Sequence, residues 1–408
     1  MVTLPKGSMN SSGKFKIAVI NSYYYPEIVG GAEVVVKTLV ETYRLLGFKV
    51  FVISSGQEDR LDLVNGIRVY RVKNRNLYRG NESGSKSPIL KPVWHLLNVK
   101  NPFVTWRISE ILDYEKPDIV HAHNLNDLSF GVLKKIKLSG LPIVLTLHDY
   151  SFMCIKATMF RKLQNCEKIC SLCRVYASLK KKYTGSVDFV VGVSKFLLER
   201  HLMHGFFTEI PSDVIYNPVT IQYPEKIERN FRNPVFGYIG RLHPSKGIEV
   251  LIRVFNRLNL PLRIAGTPFT PEYGDYLRKI STSSEIRFLG WTYAEDFYRS
   301  IDVLIIPSLW HDPSPTVVHE ANAHGIPVVA SNRGGLPELV KNGFTGFIFD
   351  PEDEENLIKV LKETREEDWK MFSQNAAGHA TLFSPERIAG RYIEIFEKLV
   401  TLPSGQTE

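Results

Sequence analysis

Two acidic residues in the stretch WHDPSPTVVHEANAHGIPVVASN, residues 310–332, are the first candidates for chemistry. A helix is predicted for residues 316–324, so that Asp312 lies in the turn before it and Glu320 lies more than one turn inside it. The free N–H groups of a helix N-terminus favour an anion, whereas an acid deeper in the helix suits neutral hydroxyl groups. The stretch therefore predicts a phosphate site with acids beside it. The alternative is a buried α/β unit in which Asp312 has no chemical role.

Two basic residues lie in the sequence GRLHPSKG, where a predicted strand passes into a predicted helix: Arg241 and Lys246. An arginine binds phosphate through a rigid fork of N–H groups, and a lysine binds it as a point charge. This loop and the helix that begins at residue 316 follow strands of one predicted sheet, so both should lie at the same edge. Together they predict a clamp for a pyrophosphate group that needs no metal ion.

Polar residues also follow the predicted strands of the first half of the chain. Gly30 and Gly31 lie between the first strand and the first helix, and His148 follows the strand IVLTL. Ligands of open α/β sheets bind at the carboxyl ends of the strands. The glycine pair either lets the backbone approach a ligand or forms a simple tight turn. His148, like His121 and His123 near the end of the neighbouring strand, is either a catalytic group or a structural histidine.

An alternation of buried strands and amphipathic helices positions these residues in both halves of the chain. The first half begins with the strand KIAVI, the glycine loop, a helix and the strand KVFVIS, which is the order typical of a doubly wound parallel sheet. The second half restarts this pattern at residue 235, after a polar linker at 218–233. The 408 residues are therefore expected to form two similar α/β domains that face each other across a cleft, a preferred place for a ligand.

The four cysteines, Cys154, Cys166, Cys170 and Cys173, lie within one 20-residue segment. Four thiols this close predict a tetrahedral structural zinc site. An iron–sulfur cluster, two disulfides and free thiols are the alternatives. The segment directly follows His148, so the zinc site would hold a loop at the mouth of the cleft rather than take part in the chemistry.

Composition limits the class of protein. Hydrophobic residues make up 44% and charged residues 23% of the chain, which is typical of a globular protein. The sequence has no apolar run of about 18 residues that could span a membrane, and its N-terminus lacks the apolar core of a signal peptide. A cytoplasmic location is predicted, and residues 1–14 are predicted to be a disordered leader.

The charge is unevenly distributed. Residues 1–215 carry 30 Lys and Arg against 18 Asp and Glu, whereas residues 216–408 carry 21 against 25. The basic half is expected to meet an anionic partner. No zinc-finger spacing, helix-turn-helix signal or RNP-type aromatic motif supports nucleic acid, so a phosphate-bearing substrate or an anionic membrane surface fits better. Residues 74–106 are predicted to be irregular, and their basic and aromatic side chains fit either a membrane interface or an ordinary helix and loop packed on the domain.

The chain resembles the retaining glycosyltransferases of family four, whose GT-B fold has two Rossmann-like, doubly wound domains facing a cleft. The match covers roughly residues 15–400, and the order and spacing of its motifs make it specific: VGGAE, DIVHAHN, LTLHDY, VGVSKF, VIYNPV, YIGRLHPSKG, IRFLGW, DVLIIPS, the stretch at 310–332, and GGLPELVKNGFTGFIFDPED.

The resemblance implies that the two domains bind different substrates. The N-terminal domain, here 15–217 with a cysteine-rich insertion at 154–173, usually binds the acceptor. The C-terminal domain, here 234–384, would bind the donor nucleotide sugar. The helix at 385–400 is expected to cross back to the N-terminal domain.

The resemblance also implies roles for the two acids. Glu320 would bond the ribose hydroxyls of the donor, and Asp312 would contact the hydroxyls of the donor sugar. The family usually has Glu at both positions, so Asp312 is a departure. Its side chain is one methylene shorter, and its contact is expected to be bridged by water or to select a different sugar.

The remaining donor contacts follow from the same resemblance. Thr316 and Val317 would hold phosphate through their N–H groups, and Arg241 and Lys246 would neutralise the leaving diphosphate. The Gly30-Gly31 loop would approach the phosphate, and His148 would lie near the donor sugar. The segment from Ile286 to Trp291, which includes Phe288 and Leu289, would hold the nucleobase. The expected catalytic residues are therefore His148, Asp312, Arg241 and Lys246.

The expected reaction is transfer of a sugar from a nucleotide sugar to a glycan or lipid-linked acceptor, at the inner face of the membrane. No Asp-x-Asp motif is placed to hold a divalent metal, so catalysis without a metal cofactor is predicted. Retention of configuration is carried over from the family. The alternatives are another GT-B activity, such as a sugar-nucleotide epimerase or a glycoside phosphorylase, and a catalytically silent subunit that binds carbohydrate or nucleotide.

Overall fold

The computed structural model describes residues 14–80, 90–221 and 229–401. The predicted disordered leader, apart from Lys14, and part of the predicted linker at 218–233 lie outside the described residues. No helix among the described residues is both long enough and apolar enough to cross a membrane.

The first half of the chain alternates strands with helices. Its strands are β1 (Lys16–Ile20), β2 (Lys49–Gly56), β3 (Arg60–Val64), β4 (Ile67–Lys73), β5 (Ile119–Ala122), β6 (Ile143–Leu147), β7 (Phe160–Arg161), β8 (Gln164–Asn165), β9 (Phe189–Gly192) and β10 (Ser212–Val214). Its helices are α1 (Gly31–Leu45), α2 (Lys91–Val99), α3 (Pro102–Glu115), α4 (Gly131–Leu138), α5 (Ser171–Lys181) and α6 (Lys195–Met203).

The second half repeats the alternation. Its strands are β11 (Phe236–Ile239), β12 (Leu262–Ala265), β13 (Ile286–Gly290), β14 (Val303–Ile306), β15 (Val328–Ser331) and β16 (Gly346–Phe349). Its helices are α7 (Ile248–Leu258), α8 (Pro271–Ile280), α9 (Ala294–Ser300), α10 (Thr316–Ala323), α11 (Leu336–Leu339), α12 (Glu354–Glu363), α13 (Glu366–Ala380) and α14 (Pro385–Thr401).

The two halves form separate sheets with the same organisation. The first sheet has the order β10-β9-β6-β5-β1-β2-β4-β3, and all its strands are parallel except β3. The second has the order β13-β12-β11-β14-β15-β16 and is wholly parallel. In each sheet the strand order reverses beside the first strand, at β1/β5 and at β11/β14, so loops diverge there and leave a crevice for a ligand. The predicted fold, two doubly wound α/β domains, is confirmed.

Helix α7 illustrates how the sequence specifies these elements. Apolar residues at three- and four-residue spacing, among them Ile248, Leu251 and Phe255, are fully buried along one face of the helix. Each such side chain contributes about 1.5–3 kcal/mol to stability. The helix follows Gly247, which has a φ of +72°. A Cβ at this position would lie only 1.8 Å from the carbonyl oxygen of Pro307, so no other residue fits here.

The last helix, α14, packs against α1 and the first sheet. Tyr392 and Phe396 are buried there, and the ring of Phe396 lies 5.8 Å from that of Tyr43. The Tyr392 hydroxyl lies 3.1 Å from the hydroxyl oxygen of Thr146 on β6. Helix α14 therefore belongs to the apolar core beneath the first sheet.

The prediction that residues 74–106 are irregular is wrong for 91–99 and 102–106, which are helical, and residues 81–89 lie outside the described residues. Helix α2 and the start of α3 occupy much of this range, and each helix has a proline in its first turn, Pro92 in α2 and Pro102 in α3. Proline is pre-organised for that position. Strand β3 was not predicted either, although the pair Asn65-Gly66, with φ of +49° and +74°, is a strong signal for the hairpin that joins it to β4.

Candidate active site

The loops that follow β11 and β14 meet because these strands are neighbours in the second sheet. Their backbones are joined by bonds from the N–H groups of Leu309 and Trp310 to the carbonyl oxygen of Ser245, at 2.9 and 3.2 Å. The side chains of the two loops also meet, since Lys246 Nζ lies 2.5 Å from Asp312 Oδ2. The structure therefore brings one predicted cation and one predicted acid into a single ion pair.

The turn that carries Asp312 is held from several sides. Asp312 is 5% exposed, and its carbonyl oxygen accepts a bond of 2.8 Å from the N–H of Gly335. A Cβ on Gly334 would lie 2.2 Å from that same oxygen, so only glycine fits there. From the other domain, Asn217 Nδ2 donates to the carbonyl oxygen of Ser314 at 3.0 Å. The backbone of this turn is thus held in place before any ligand arrives.

Helix α10 begins directly after this turn. Its N-cap residue is Pro315, which has no side chain to bond the first N–H groups of the helix. Those groups, including the N–H of Thr316 and Val317, have no partner within the helix and can receive an anion. The glycine loop of the first domain lies against the start of α10. A Cβ added to Gly31 would lie only 3.1 Å from Thr316 Cγ2. Gly30 contributes an N–H that donates to Glu33 Oε2 at 2.7 Å.

Glu320 lies deeper in the same helix. Its Oε2 accepts a bond of 2.8 Å from the hydroxyl of Tyr298, while Oε1 has no bond to the described residues. Burial, and then the charge of Glu320, raise the pKa of Tyr298 well above its ordinary value, so this tyrosine stays a hydrogen-bond donor. One oxygen of Glu320 is thereby fixed and the other is available to a ligand.

Positive charge gathers at the loop that follows β11. Arg241 is exposed in the loop after β11. Burial, followed by the charges of Arg241, Lys246 and Lys156, lowers the pKa of His243, which lies between the first two in sequence. Lys156 belongs to the cysteine-rich insertion, so cations from both domains act on this region.

A cavity of about 800 Å³ opens next to these cations. Most of its wall comes from the first domain, including Gly30, Gly31 and His148, whereas Arg241 and Trp310 come from the second. His148 Nε2 lies 2.9 Å from Nδ1 of His123, and burial lowers the pKa of His148 to about 4. The histidine is therefore neutral near pH 7.

The two predicted nucleobase contacts lie on another strand of the second sheet. Phe288 and Leu289 are on the edge strand β13, two strands away from β11, and neither lines the cavity. The guanidinium of Arg278 lies 5.9 Å from the ring of Phe288. The roles of Phe288 and Leu289 in holding a nucleobase therefore stay predictions.

The cysteines are all free thiols. Cys154 and Cys173 are buried, and a hydrogen bond between them lowers the pKa of Cys154. The described residues include no group of three or more His, Cys, Asp or Glu side chains arranged to hold a metal ion. Zinc stays a prediction, and metal analysis of the purified chain decides it: a preparation free of zinc and iron contradicts it.

The insertion contains a contact that the sequence did not signal. The side-chain amide of Asn165, in the β7–β8 hairpin, donates to the carbonyl oxygen of Leu309 at 2.8 Å and accepts from the N–H of His311 at 2.9 Å. Tyr150 donates its hydroxyl proton to the carbonyl oxygen of His311 at 2.7 Å. Asn165 and Tyr150 thus hold the segment that leads into Asp312 in place.

A second unpredicted contact joins the domains through Glu338 of α11. Its carboxylate accepts from the N–H groups of Lys195 and Phe196, at 2.7 and 2.8 Å, which are the first residues of α6. Glu338 lies in the motif GGLPELVKNG, but nothing in that motif indicates a helix terminus in the other domain.

Comparison with protein families divides the chain at the same place as the two sheets. Residues 29–223 match the family described as Glycosyltransferase Family 4, and residues 220–378 match Glycosyl transferases group 1. A 42.6 kDa protein from the cps region of Klebsiella pneumoniae is 29% identical over 79% of this chain and 87% of its own length. An uncharacterized glycosyltransferase of Methanocaldococcus jannaschii is 28% identical over 84% of this chain and 87% of its own length.

Solved structures share the fold. Sucrose-phosphate synthase from Thermosynechococcus elongatus superposes with a TM-score of 0.76 at 18% identity, covering 95% of this chain and 99% of its own. HepE of Anabaena in complex with UDP-glucose gives a TM-score of 0.64 at 20% identity, covering 94% of this chain and 100% of its own.

Replacing Glu338 should loosen the contact between the domains. Glu338→Ala leaves the first two N–H groups of α6 without their acceptor, which costs about 1 kcal/mol, and removes a bridge across the cleft. We expect a larger radius of gyration in small-angle scattering of the ligand-free chain. Glu363→Ala, at an exposed position of the same domain, is the matched control. Identical scattering from both variants would contradict this role.

Proposed function

The chain belongs to the family-four glycosyltransferases with the GT-B fold, and we propose that it moves a sugar from a nucleotide-activated donor, bound on the second sheet, to a glycan or lipid-linked acceptor in the cleft. The observation that carries this proposal is the placement of Lys246 and Asp312 beside the uncapped N-terminus of α10, with Gly31 closing the other side. A diphosphate suits that position, because it is a strong anion facing a cation and free N–H groups.

The proposed chemistry follows from the charges that develop. The bond between the anomeric carbon and the phosphate oxygen breaks, and its electron pair leaves with the diphosphate. Lys246, Arg241 and the N–H groups of Thr316 and Val317 stabilise that negative charge without a metal ion. The acceptor oxygen then bonds the anomeric carbon from the face that the phosphate leaves, and a phosphate oxygen takes the acceptor proton. This order of events retains the configuration of the sugar.

The two acids bind the neutral part of the donor in this proposal. The free oxygen of Glu320 accepts from the ribose hydroxyls. Asp312 meets the donor sugar, but its carboxylate is already paired with Lys246 at 2.5 Å. The diphosphate would compete for that lysine and release the carboxylate towards the sugar. HepE was solved with UDP and glucose, so UDP-sugars are the first donors to screen.

The first domain offers a surface for a membrane-bound acceptor. Helices α2 and α3 carry exposed apolar side chains next to Lys100 and Arg107: Val93 at 48%, Leu96 at 49%, Phe103 at 64% and Trp106 at 61% exposure. Apolar side chains with a basic surround favour the interface of an anionic bilayer. We propose that this face brings the chain to the membrane, with the cavity beside it receiving the acceptor.

The epimerase, the phosphorylase and the silent binding subunit remain testable. A phosphorylase requires inorganic phosphate for turnover, and a silent subunit binds the donor without hydrolysing it. No observation on the described residues favours any of the three.

Lys246 and Glu320 test the donor site. Lys246→Ala removes the cation that opposes the leaving diphosphate, and we expect kcat for sugar transfer to fall about 100-fold or more. Glu320→Gln keeps the bond from Tyr298 but removes the charge that binds the ribose, and we expect the donor KM to rise about 10-fold. Steady-state transfer kinetics measure both values.

Lys279→Ala is the control for these variants, since Lys279 is an exposed cation on α8 of the same domain. It should leave kcat and KM unchanged. Because Lys246→Ala leaves the buried Asp312 unpaired, its thermal unfolding is checked first. Full activity in both Lys246→Ala and Glu320→Gln would overturn the assignment.

Vesicle sedimentation tests the membrane surface. We expect the chain to pellet with vesicles rich in phosphatidylglycerol at low salt and to be released as the salt concentration rises. The double variant Phe103→Ser/Trp106→Ser should pellet less. Leu138→Ser, at an exposed leucine on α4, should pellet like the unmodified chain. Absence of binding at low salt would count against this surface.

A further inference from the structure

The geometry points to His123 as a positioning residue that fixes the tautomer of His148, so that His148 presents an N–H donor to the cleft. The effect of this N–H donor on sugar transfer rests on the proposed function, because it concerns a ligand oxygen in the cleft. The tautomer itself is a property of the ligand-free chain.

The hydrogen bond between the two imidazoles is the starting point. His123 Nδ1 and His148 Nε2 lie 2.9 Å apart, so one nitrogen carries the proton and the other accepts it. Both rings are neutral near pH 7, because burial holds the pKa of His148 at about 4 and the pKa of His123 well below its ordinary value. Each neutral ring has one N–H and one lone pair, which leaves two possible arrangements.

The surroundings of Nε2 of His123 distinguish these two proton arrangements. His123 is 3% exposed, and its Nε2 is buried without a partner among the described residues. A buried N–H without an acceptor is rarer and more costly than a lone pair without a donor. The proton of His123 therefore lies on Nδ1, where it is donated to Nε2 of His148.

The tautomer of His148 follows directly. Since its Nε2 accepts, its single proton must lie on Nδ1. That nitrogen makes no hydrogen bond to the described residues, and His148 lines the cavity between the domains. The group offered to a ligand is thus an N–H donor, suited to a sugar hydroxyl oxygen and unable to act as a base.

The ring of His123 is held in place by the strands and by α14. Its centroid is 4.1 Å from that of His121, whose Nε2 lies 2.9 Å from the hydroxyl oxygen of Thr146. Thr146 in turn lies 3.1 Å from the hydroxyl of Tyr392 on the last helix. This packing keeps His123 aimed at His148 and explains why the donor geometry is ready before a ligand binds.

Nitrogen-15 NMR of histidine-labelled, ligand-free chain tests the tautomer. We expect the His148 signals of the Nδ1–H form, which a His148→Ala sample identifies by their loss. Signals of the Nε2–H form would overturn the inference while leaving the proposed function standing. This measurement uses the unmodified protein and does not depend on knowing the donor or acceptor.

Two variants test the consequence for transfer. His123→Leu removes the donor to His148, and we expect kcat to fall roughly 10- to 100-fold with a smaller change in donor KM. His123→Asn keeps an N–H near the position of Nδ1 and should restore most of kcat. In a His148→Ala background His123→Leu should cause no further loss. An equal loss in that background, or no rescue by asparagine, would show a merely structural role and overturn the inference.

Discussion

The ion pair between Lys246 and Asp312 is the interaction on which the arrangement of the cleft depends. Its atoms lie 2.5 Å apart, and the Asp312 side chain is almost fully buried. Removing one partner of such a pair leaves a charge without solvent or counter-ion, at a cost of about 3–5 kcal/mol. The loops after β11 and β14 must therefore stay in register, and their backbone bonds at Ser245 keep them so. A bound diphosphate changes this balance, because it offers Lys246 a second anion.

The contacts across the cleft are mostly made by backbone groups. Asn165 bonds the carbonyl and N–H groups on either side of Trp310. Glu338 accepts from the N–H groups of α6, and Gly31 lies against Thr316. Such contacts depend on the position of the chain rather than on the identity of the residues they meet. They join the two domains beside the ion pair, at the proposed phosphate site.

The sequence predicted the elements well where they are buried on both faces. β1 and β6 begin and end with the predicted strands KIAVI and IVLTL, because a short apolar run bounded by polar residues has few other structures. Lys246 and Asp312 could be predicted to lie near each other, since both follow neighbouring strands. Asn165 and Glu338 could not, because their roles depend on how two independent sheets face each other. Helices α2 and α3 were not predicted within residues 74–106, although Pro92 and Pro102 each lie in the first turn of a helix.

A crystal structure of the chain with a bound nucleoside diphosphate tests the central claim most directly. The account predicts phosphate oxygens within hydrogen-bond distance of the N–H groups of Thr316 and Val317 and of Lys246 Nζ, with the ribose at Glu320. A diphosphate bound away from the N-terminus of α10, with the Lys246–Asp312 pair unchanged, would contradict it.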